Sequence, residues 1–331
     1  MPQSSPPAID CWYLTGPTAA GKTKIGVELA QRLNAEIVSL DSMTLYAGMD
    51  IGTAKPSVEE RARVPHHLLD QVSPVDEYSL SDYVDAAHAA IREIKGRGRQ
   101  VLFVGGTPLY LKSLLRGVYQ GPPADWEFRR QIEEELKIVP AEALHQRLEV
   151  IDPLLAAKLH ANDKRRIIRG LEVFKLTGQR LSHSQTQFDE GRPASQAKVF
   201  VLSWPREELH RRIDARVEQM FAEGLVEEVQ ALLAKYGALS RTAQQAVGYR
   251  EVVEYLRGER SEGSDQHSEG KSLAECIERV KARTRQFARR QETWFRALSE
   301  CTFVPMTGEE PARVAECVLG LERARSAGLS S

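Results

Sequence analysis

The sequence predicts an α/β fold: a parallel-sheet core, an all-helical insertion and a helical C-terminal part. Three observations predict it. Short apolar runs alternate with helically spaced segments through the first third of the chain. A glycine-rich segment, Gly16–Thr23, joins the first strand candidate to the first helix candidate. From about Pro122 to Lys198 strand character disappears and helix candidates follow one another.

Cys11–Leu14 is the first strand candidate, and Lys24–Leu33 follows with Ile25, Leu29 and Leu33 on one helical stripe. Glu36–Leu40 is the second strand. Leu80–Lys95 is a helix with Tyr83, Ala87, Ile91 and Ile94 inward, and Val101–Val104 is an apolar strand ended by Gly105 and Gly106. A β-α-β-α-β order implies parallel strands with helices on both faces. Trp126–Lys137, Ala141–Val150, Pro153–Leu159 and Asp163–Thr177 are the helices of the insertion. Lys198–Leu202 returns to strand character. Glu207–Tyr236 is amphipathic and interrupted at Gly224. Gly258–Ser272 holds no apolar side chain and reads as a mobile loop. Leu273–Leu298 is one Arg-rich helix whose core face is marked by Val280, Phe287 and Trp294. These segments place a core in 1–119 and 195–331 and a helical insertion in 120–194.

Of 331 residues, 46 are acidic and 45 basic, a net charge of −1. This excludes bulk positive coating of nucleic acid, though not a local basic groove. Hydrophobic residues at 42% and charged residues at 27% exclude disorder as the dominant state. Cys11, Cys276, Cys301 and Cys317 lie far apart with no zinc-ligand spacing, so reduced thiols are expected. The first residues lack a basic and an apolar signal region, and no apolar run approaches the roughly 20 residues of a membrane span. The expectation is a soluble, cytoplasmic protein.

Gly16, Pro17, Thr18, Ala19, Ala20, Gly21, Lys22 and Thr23 fit the pattern GxxxxGK[ST] between a strand and a helix, so the core is expected to be phosphate-loop NTPase-like. Its glycines let backbone N–H groups cradle phosphate oxygens at a helix N-terminus. Lys22 adds a point charge, and the Thr23 hydroxyl is a candidate ligand for Mg²⁺. The pattern does not choose between a kinase, an NTPase and a transferase using another diphosphate. Asp41 closes the second strand at the edge where open parallel sheets bind ligands. It reads as a helix N-cap, as a ligand to magnesium-bound water, or as a general base. Gly105-Gly106-Thr107 leaves the third strand at the same edge. Thr53, Lys55, His66, His67 and Asp70 lie in polar loops, and the histidines read equally as a hydrogen-bond scaffold or as reactive groups.

The segments GPTAAGKT (16–23), LDSMTLYAGMDIGTAKP (40–56), PHHLLD (65–70), VGGTPLYLKSLL (104–115), AVGYRE (246–251) and RTRQFARRQETWFR (283–296) together resemble the bacterial tRNA isopentenyltransferase (tRNA dimethylallyltransferase) family. They run in order across most of the chain, without the zinc-finger tail of eukaryotic members. The resemblance implies transfer of a dimethylallyl group from dimethylallyl diphosphate to N6 of the adenosine immediately 3′ of a tRNA anticodon. It implies that the phosphate loop, although nucleotide-binding (ATP-binding) in pattern, holds the donor diphosphate. Asp41 is then the general base, Thr107 lies beside the reacting groups and Arg216 contacts diphosphate, where spacing alone gives a solvated helix arginine. It further implies tRNA contacts at Asp41, Ser42, Met43, Thr44, Thr107, Arg129, Arg165, Arg166, Ile167, Ile168, Arg169, Gln245, Ala246, Val247, Gly248, Tyr249 and Arg250.

Two stretches carry the local charge such a reading needs. Residues 158–169 hold five basic side chains against one acidic, and 279–296 hold seven against one. In the second, Arg279, Arg283, Gln286 and Arg290 share one helix face. By spacing this is a solvated face; the resemblance makes it a tRNA grip. Ala20 replaces the serine of many relatives, and 258–272 looks longer than usual. The expected partners are the tRNA anticodon stem-loop and dimethylallyl diphosphate, with no membrane, no obligatory protein partner and a monomer as the simplest state.

Overall fold

The computed structural model describes residues 6–117, 121–184, 191–261 and 272–328. In chain order the elements begin β1 (Trp12–Thr15), α1 (Lys22–Leu33), β2 (Ala35–Ser39), α2 (Val58–Arg63), β3 (His66–His67), α3 (Leu80–Gly96), β4 (Gln100–Gly105) and α4 (Pro108–Arg116). The helical segment contains α5 (Trp126–Glu135), α6 (Ala141–Ile151), α7 (Pro153–Ala156), α8 (Lys164–Thr177) and α9 (Leu181–Ser184). Then follow β5 (Lys198–Ser203), α10 (Arg206–Ala222), α11 (Leu225–Tyr236), α12 (Tyr249–Ser261), α13 (Leu273–Arg296), β6 (Cys301–Pro305) and α14 (Pro311–Gly328).

The six strands form one sheet in the order β3-β2-β4-β1-β5-β6, and every pairing is parallel. β1 is buried along its whole length between β4 and β5. The carboxyl ends of β1, β2 and β4 therefore lie side by side, and the loops that leave them share one edge of the sheet. Gly21, in left-handed conformation at φ 91°, starts α1 directly after the first of these loops. Gly26 lets α1 approach the sheet, because a Cβ there would lie 2.9 Å from the Val104 side chain. Gly105 is tighter still: a Cβ would lie 2.2 Å from the Leu40 carbonyl oxygen.

The chain divides into two compact units, one built on Ser113–Gly191 and one on Ala8–Lys112 with Arg192–Ser331. The smaller unit has its own core, in which Phe128, Ile132, Leu144, Leu148, Ile167 and Leu171 pack together. A Cβ on Gly170 would lie 2.8 Å from Leu148, so glycine sets the spacing of α8 from α6. No helix among the described residues is long and apolar enough to cross a membrane.

Three sequence expectations change. β3 and β6 were not anticipated: the first is only two histidines, and the second is an edge strand with Phe303 exposed and only Val304 buried. Residues 258–261 of the expected loop continue α12, while 262–271 lie outside the described residues. On α13 the buried face runs through Val280, Ala288, Gln291 and Phe295, and Trp294 is 44% exposed. The stripe Val280–Phe287–Trp294 has a seven-residue repeat, which drifts by about 20° per repeat around a straight helix.

Gly105→Ala should lower stability by about 1–3 kcal/mol, because the Leu40 backbone that its Cβ would strike cannot give way. Gly96→Ala, at the end of α3 with nothing within 4 Å of its Cβ position, should change stability little. Urea unfolding of the two variants checks the contrast, and equal midpoints would contradict it.

Candidate active site

The loop after β1 is held from outside at three successive residues. The Thr18 N–H donates to Gln291 Oε1 at 2.9 Å. Arg212 Nε donates to the Ala19 carbonyl at 2.9 Å, and Trp204 Nε1 to the Ala20 carbonyl at 3.0 Å. The Arg212 guanidinium also lies over the Trp204 ring, 4.3 Å from its centroid. Ala19 has φ 63°, a left-handed conformation that costs an L-residue about 1–2 kcal/mol. Hydrogen bonds of about 1 kcal/mol each offset that cost. The loop then delivers the chain to the first turn of α1, whose N–H groups lack helical partners and face an anion favourably.

Three charged groups meet at this point. Lys22 Nζ donates to the carbonyls of Gly16 at 3.0 Å and Pro17 at 2.7 Å. Burial and the Arg216 charge bring the Lys22 ammonium down to about 7, and Asp41 opposes them. Burial lowers Arg216 from its ordinary value, against the attraction of Asp41, and Arg212 adds repulsion. Arg212 and Arg216 are four residues apart on α10, so one helix face supplies both the strut and the charge. Burial raises the Asp41 carboxyl, while the Met43 N–H, Lys22, the Thr44 N–H and Arg216 pull it back.

The backbone around Asp41 is fixed locally. Asp41 Oδ1 accepts the Met43 N–H at 2.9 Å, a turn closed by its own side chain. The Thr107 N–H donates to the Leu40 carbonyl at 3.1 Å, and the Ser42 N–H donates to Thr107 Oγ1 at 3.1 Å. The Thr107 hydroxyl proton is therefore available to another acceptor. Thr44 is buried, with its hydroxyl 2.7 Å from that of Ser39. Tyr83 and Tyr110 stack with centroids 3.7 Å apart, and burial, with Asp41 adding to it, raises both phenols.

The polar loops noted in the sequence are scaffold. The Lys55 ammonium, on a side chain 2% exposed, binds the Tyr46 carbonyl at 2.6 Å, Asp50 at 2.7 Å and Asp70 at 2.5 Å. The Thr53 hydroxyl donates to the Met49 carbonyl at 2.6 Å. His67 Nε2 lies 2.6 Å from Glu36, and His66 Nδ1 lies 2.8 Å from the Val64 carbonyl. Glu228 on α11 accepts the N–H groups of Asp50 at 2.9 Å and Ile51 at 2.8 Å, and the Tyr249 hydroxyl at 2.5 Å.

The residues expected to touch RNA divide by burial. Within the helical unit, Glu172 is fully buried and holds Arg129 by both oxygens, at 2.7 and 2.8 Å, and Arg169 at 2.5 Å. Burial alone would raise the Glu172 carboxyl; the bonds from the two arginines and the Asp125 N–H leave it below its ordinary value. Arg165 and Arg166 are exposed, whereas Ile167 and Ile168 are core side chains, so they position the arginines rather than present themselves. In the larger unit Gln245 is exposed, Val247 is partly exposed, and Ala246, Gly248 and Tyr249 are buried. Arg250 pairs with Glu251 at 2.8 Å. On α13, Arg279 pairs with Glu254 and Arg285 with Asp214, and Arg283 lies 3.3 Å from Gln286. Arg283, Arg289, Arg290 and Arg296 are exposed.

Sequence reasoning missed Gln291, Trp204, Arg212 and Glu228. Only Gln291 had a signal, a polar residue on the core stripe of an Arg-rich helix. The others become visible only once the strands are ordered.

The family model described as IPP transferase matches residues 44–298. A tRNA dimethylallyltransferase of Rhodopirellula baltica is 48% identical over 299 residues, covering 88% of this chain and 86% of the relative. Its counterpart in Geobacter metallireducens is 44% identical over 294 residues, covering 89% and 92%. The crystal structure of the tRNA isopentenylpyrophosphate transferase of Bacillus halodurans is 36% identical, with a TM-score of 0.67 over 98% of this chain and 100% of that one. A eukaryotic dimethylallyltransferase acting on tRNA is 27% identical, with a TM-score of 0.69 over 90% of this chain and 74% of that one. With a family match across most of its length and relatives this similar, the chain belongs to the IPP transferase family.

Proposed function

We propose that this protein transfers the dimethylallyl group of dimethylallyl diphosphate to N6 of the adenosine immediately 3′ of the anticodon in tRNA, releasing diphosphate. The observation that carries the reading is the meeting of Lys22, Arg216 and Asp41 where the phosphate loop opens. Arg216 together with Lys22, which gains its full charge below about pH 7, outweighs one carboxylate and leaves the site short of negative charge, as a diphosphate site requires.

The adenine amine is a weak nucleophile because its lone pair is delocalised into the ring. Leaving-group stabilisation is therefore the main task. As the N6–carbon bond forms, the allylic carbon–oxygen bond breaks and its electron pair stays on diphosphate. Lys22, Arg216, Thr23 and the first-turn N–H groups of α1 bind that charge. Asp41 accepts the N6 proton, a role for which its carboxylate form is the active one. The Thr107 hydroxyl, held by the Ser42 N–H, is placed to donate a hydrogen bond beside Asp41.

Among the described residues no three His, Cys, Asp or Glu side chains gather as a metal cluster. A magnesium ion would be held by the Thr23 hydroxyl and by oxygens of the donor diphosphate. When bound it supplies further charge neutralisation on the leaving group.

The target base is stacked in an anticodon loop and has to be extruded to reach Asp41. Arg165 and Arg166 of the helical unit, and Arg283, Arg289 and Arg290 of α13, offer exposed charge for RNA phosphates. Glu172 keeps Arg129 and Arg169 in fixed positions on the helical unit. We assign the protein to the cytoplasm, where tRNA and reduced thiols are found, acting as a monomer.

Incubation with Mg²⁺, labelled dimethylallyl diphosphate and unmodified tRNA should label the tRNA, with AMP and ATP as separate controls. Label in AMP but not tRNA, or phosphoryl transfer from ATP, would contradict the reading. Asp41→Ala should lose turnover by roughly 10²–10⁴-fold while keeping its tRNA affinity. Unchanged turnover would remove Asp41 from its role.

Lys22 gives a second test. Its ammonium titrates at about 7, so at about pH 8 it is largely neutral, whereas the donor diphosphate, with a last ionisation near 6, is fully charged. Binding places anionic oxygens beside Lys22 and raises its pKa, so the complex should take up a proton. Calorimetry in buffers of different ionisation enthalpy reads this directly, and binding without proton uptake would contradict it.

A further inference from the structure

The Gln291 carboxamide joins the two loops on which the proposed reaction depends. It lies on α13 with 3% of its surface exposed. Its Oε1 accepts the Thr18 N–H at 2.9 Å, and its Nε2 donates to the Gly106 carbonyl at 2.5 Å. Thr18 belongs to the loop that holds diphosphate in the reading above, and Gly106 immediately precedes Thr107 on the acceptor side. One planar group therefore spans both sides of the site. A carboxamide offers a donor and an acceptor together in one fixed plane, without having to titrate.

Gly106 is shaped to receive it. A Cβ at position 106 would lie 2.7 Å from Gln291 Nε2 and 3.4 Å from Lys22 Nζ. The glycine thus makes room for the carboxamide and brings it next to the lysine. The remaining loop struts, Arg212 and Trp204, bond the carbonyls of Ala19 and Ala20.

We propose that Gln291 is a positioning residue for the transfer: it sets the spacing between the diphosphate loop and the Gly106–Thr107 turn, and so between the allylic carbon and the amine. This rests on the functional reading above. Its action is on geometry, so it should govern turnover more than diphosphate binding, because the loop keeps its Arg212 and Trp204 supports without it.

Two variants test it. Gln291→Met removes both bonds and should lower kcat by about 10–100-fold, the scale of an ångström-level misplacement. Its affinity for inorganic pyrophosphate, read by calorimetry, should stay within about threefold of wild type, separating positioning from binding. Gln291→Glu keeps an acceptor for the Thr18 N–H but sets a carboxylate against the Gly106 carbonyl. Protonation restores a donor, so the turnover of this variant relative to wild type should rise as pH falls, while that of Gln291→Met stays flat. A flat ratio for Gln291→Glu, or wild-type turnover in Gln291→Met, overturns the proposal. So does a loss of thermal stability and pyrophosphate affinity with kcat unchanged, which marks a purely structural strut. A wild-type protein inactive on tRNA overturns the functional reading and this role with it; an active wild type with unaffected variants overturns this role alone.

Discussion

Burial works against every charge in the site, and Asp41 and the cations make one another tolerable. It raises Asp41 and lowers Lys22 and Arg216, while Asp41 opposes the shift of each cation and each cation opposes that of Asp41. The balance is incomplete, because two cations face one carboxylate. Lys22 spends its donors on the carbonyls of its own loop, Gly16 and Pro17, which are weaker partners than an anion. A site left in this condition favours a ligand with concentrated negative charge.

Holding this balance needs a stiff frame. The parallel sheet brings the ends of β1, β2 and β4 together, but a strand end alone leaves its loop free. Here the first loop is bonded at Thr18, Ala19 and Ala20 by residues from α13, from α10 and from the turn after β5. The segment after Asp41 is treated the same way. Glu228 anchors Asp50 and Ile51, and Lys55 ties Tyr46, Asp50 and Asp70. The helical unit repeats the device with Glu172, whose two arginines cover a buried carboxylate. Removing one partner from such a cluster is expensive, since it strands a buried charge.

What the sequence shows in advance follows from how local each feature is. The phosphate loop, Asp41 and Thr107 sit on short segments at strand ends, so pattern and strand order expose them. Arg212 and Trp204 meet that loop from 193 and 184 residues away, and Gln291 from 273, so no local pattern ties them to it. β6 was hidden because an edge strand with one buried side chain carries almost no apolar signal. The basic stretch of α13 was legible as charge but not as pairing. Arg279 and Arg285 turn out to be held by Glu254 and Asp214, carboxylates far off in the chain, while Arg290 stays exposed. Ile167, Ile168 and Tyr249 entered the expected RNA surface because they share segments with arginines; folding turns their side chains inward.

Asp41 is held between burial, which raises its carboxyl, and two cations, which lower it. The most direct measurement is the carboxyl titration of Asp41 by carbon-13 NMR, with aspartate labelled and the signal assigned by Asp41→Asn. Its pKa should lie above the ordinary 3.8 in the wild type and rise further in Arg216→Gln, where one opposing cation is gone. A wild-type value at or below the ordinary one, or no movement in Arg216→Gln, would contradict it.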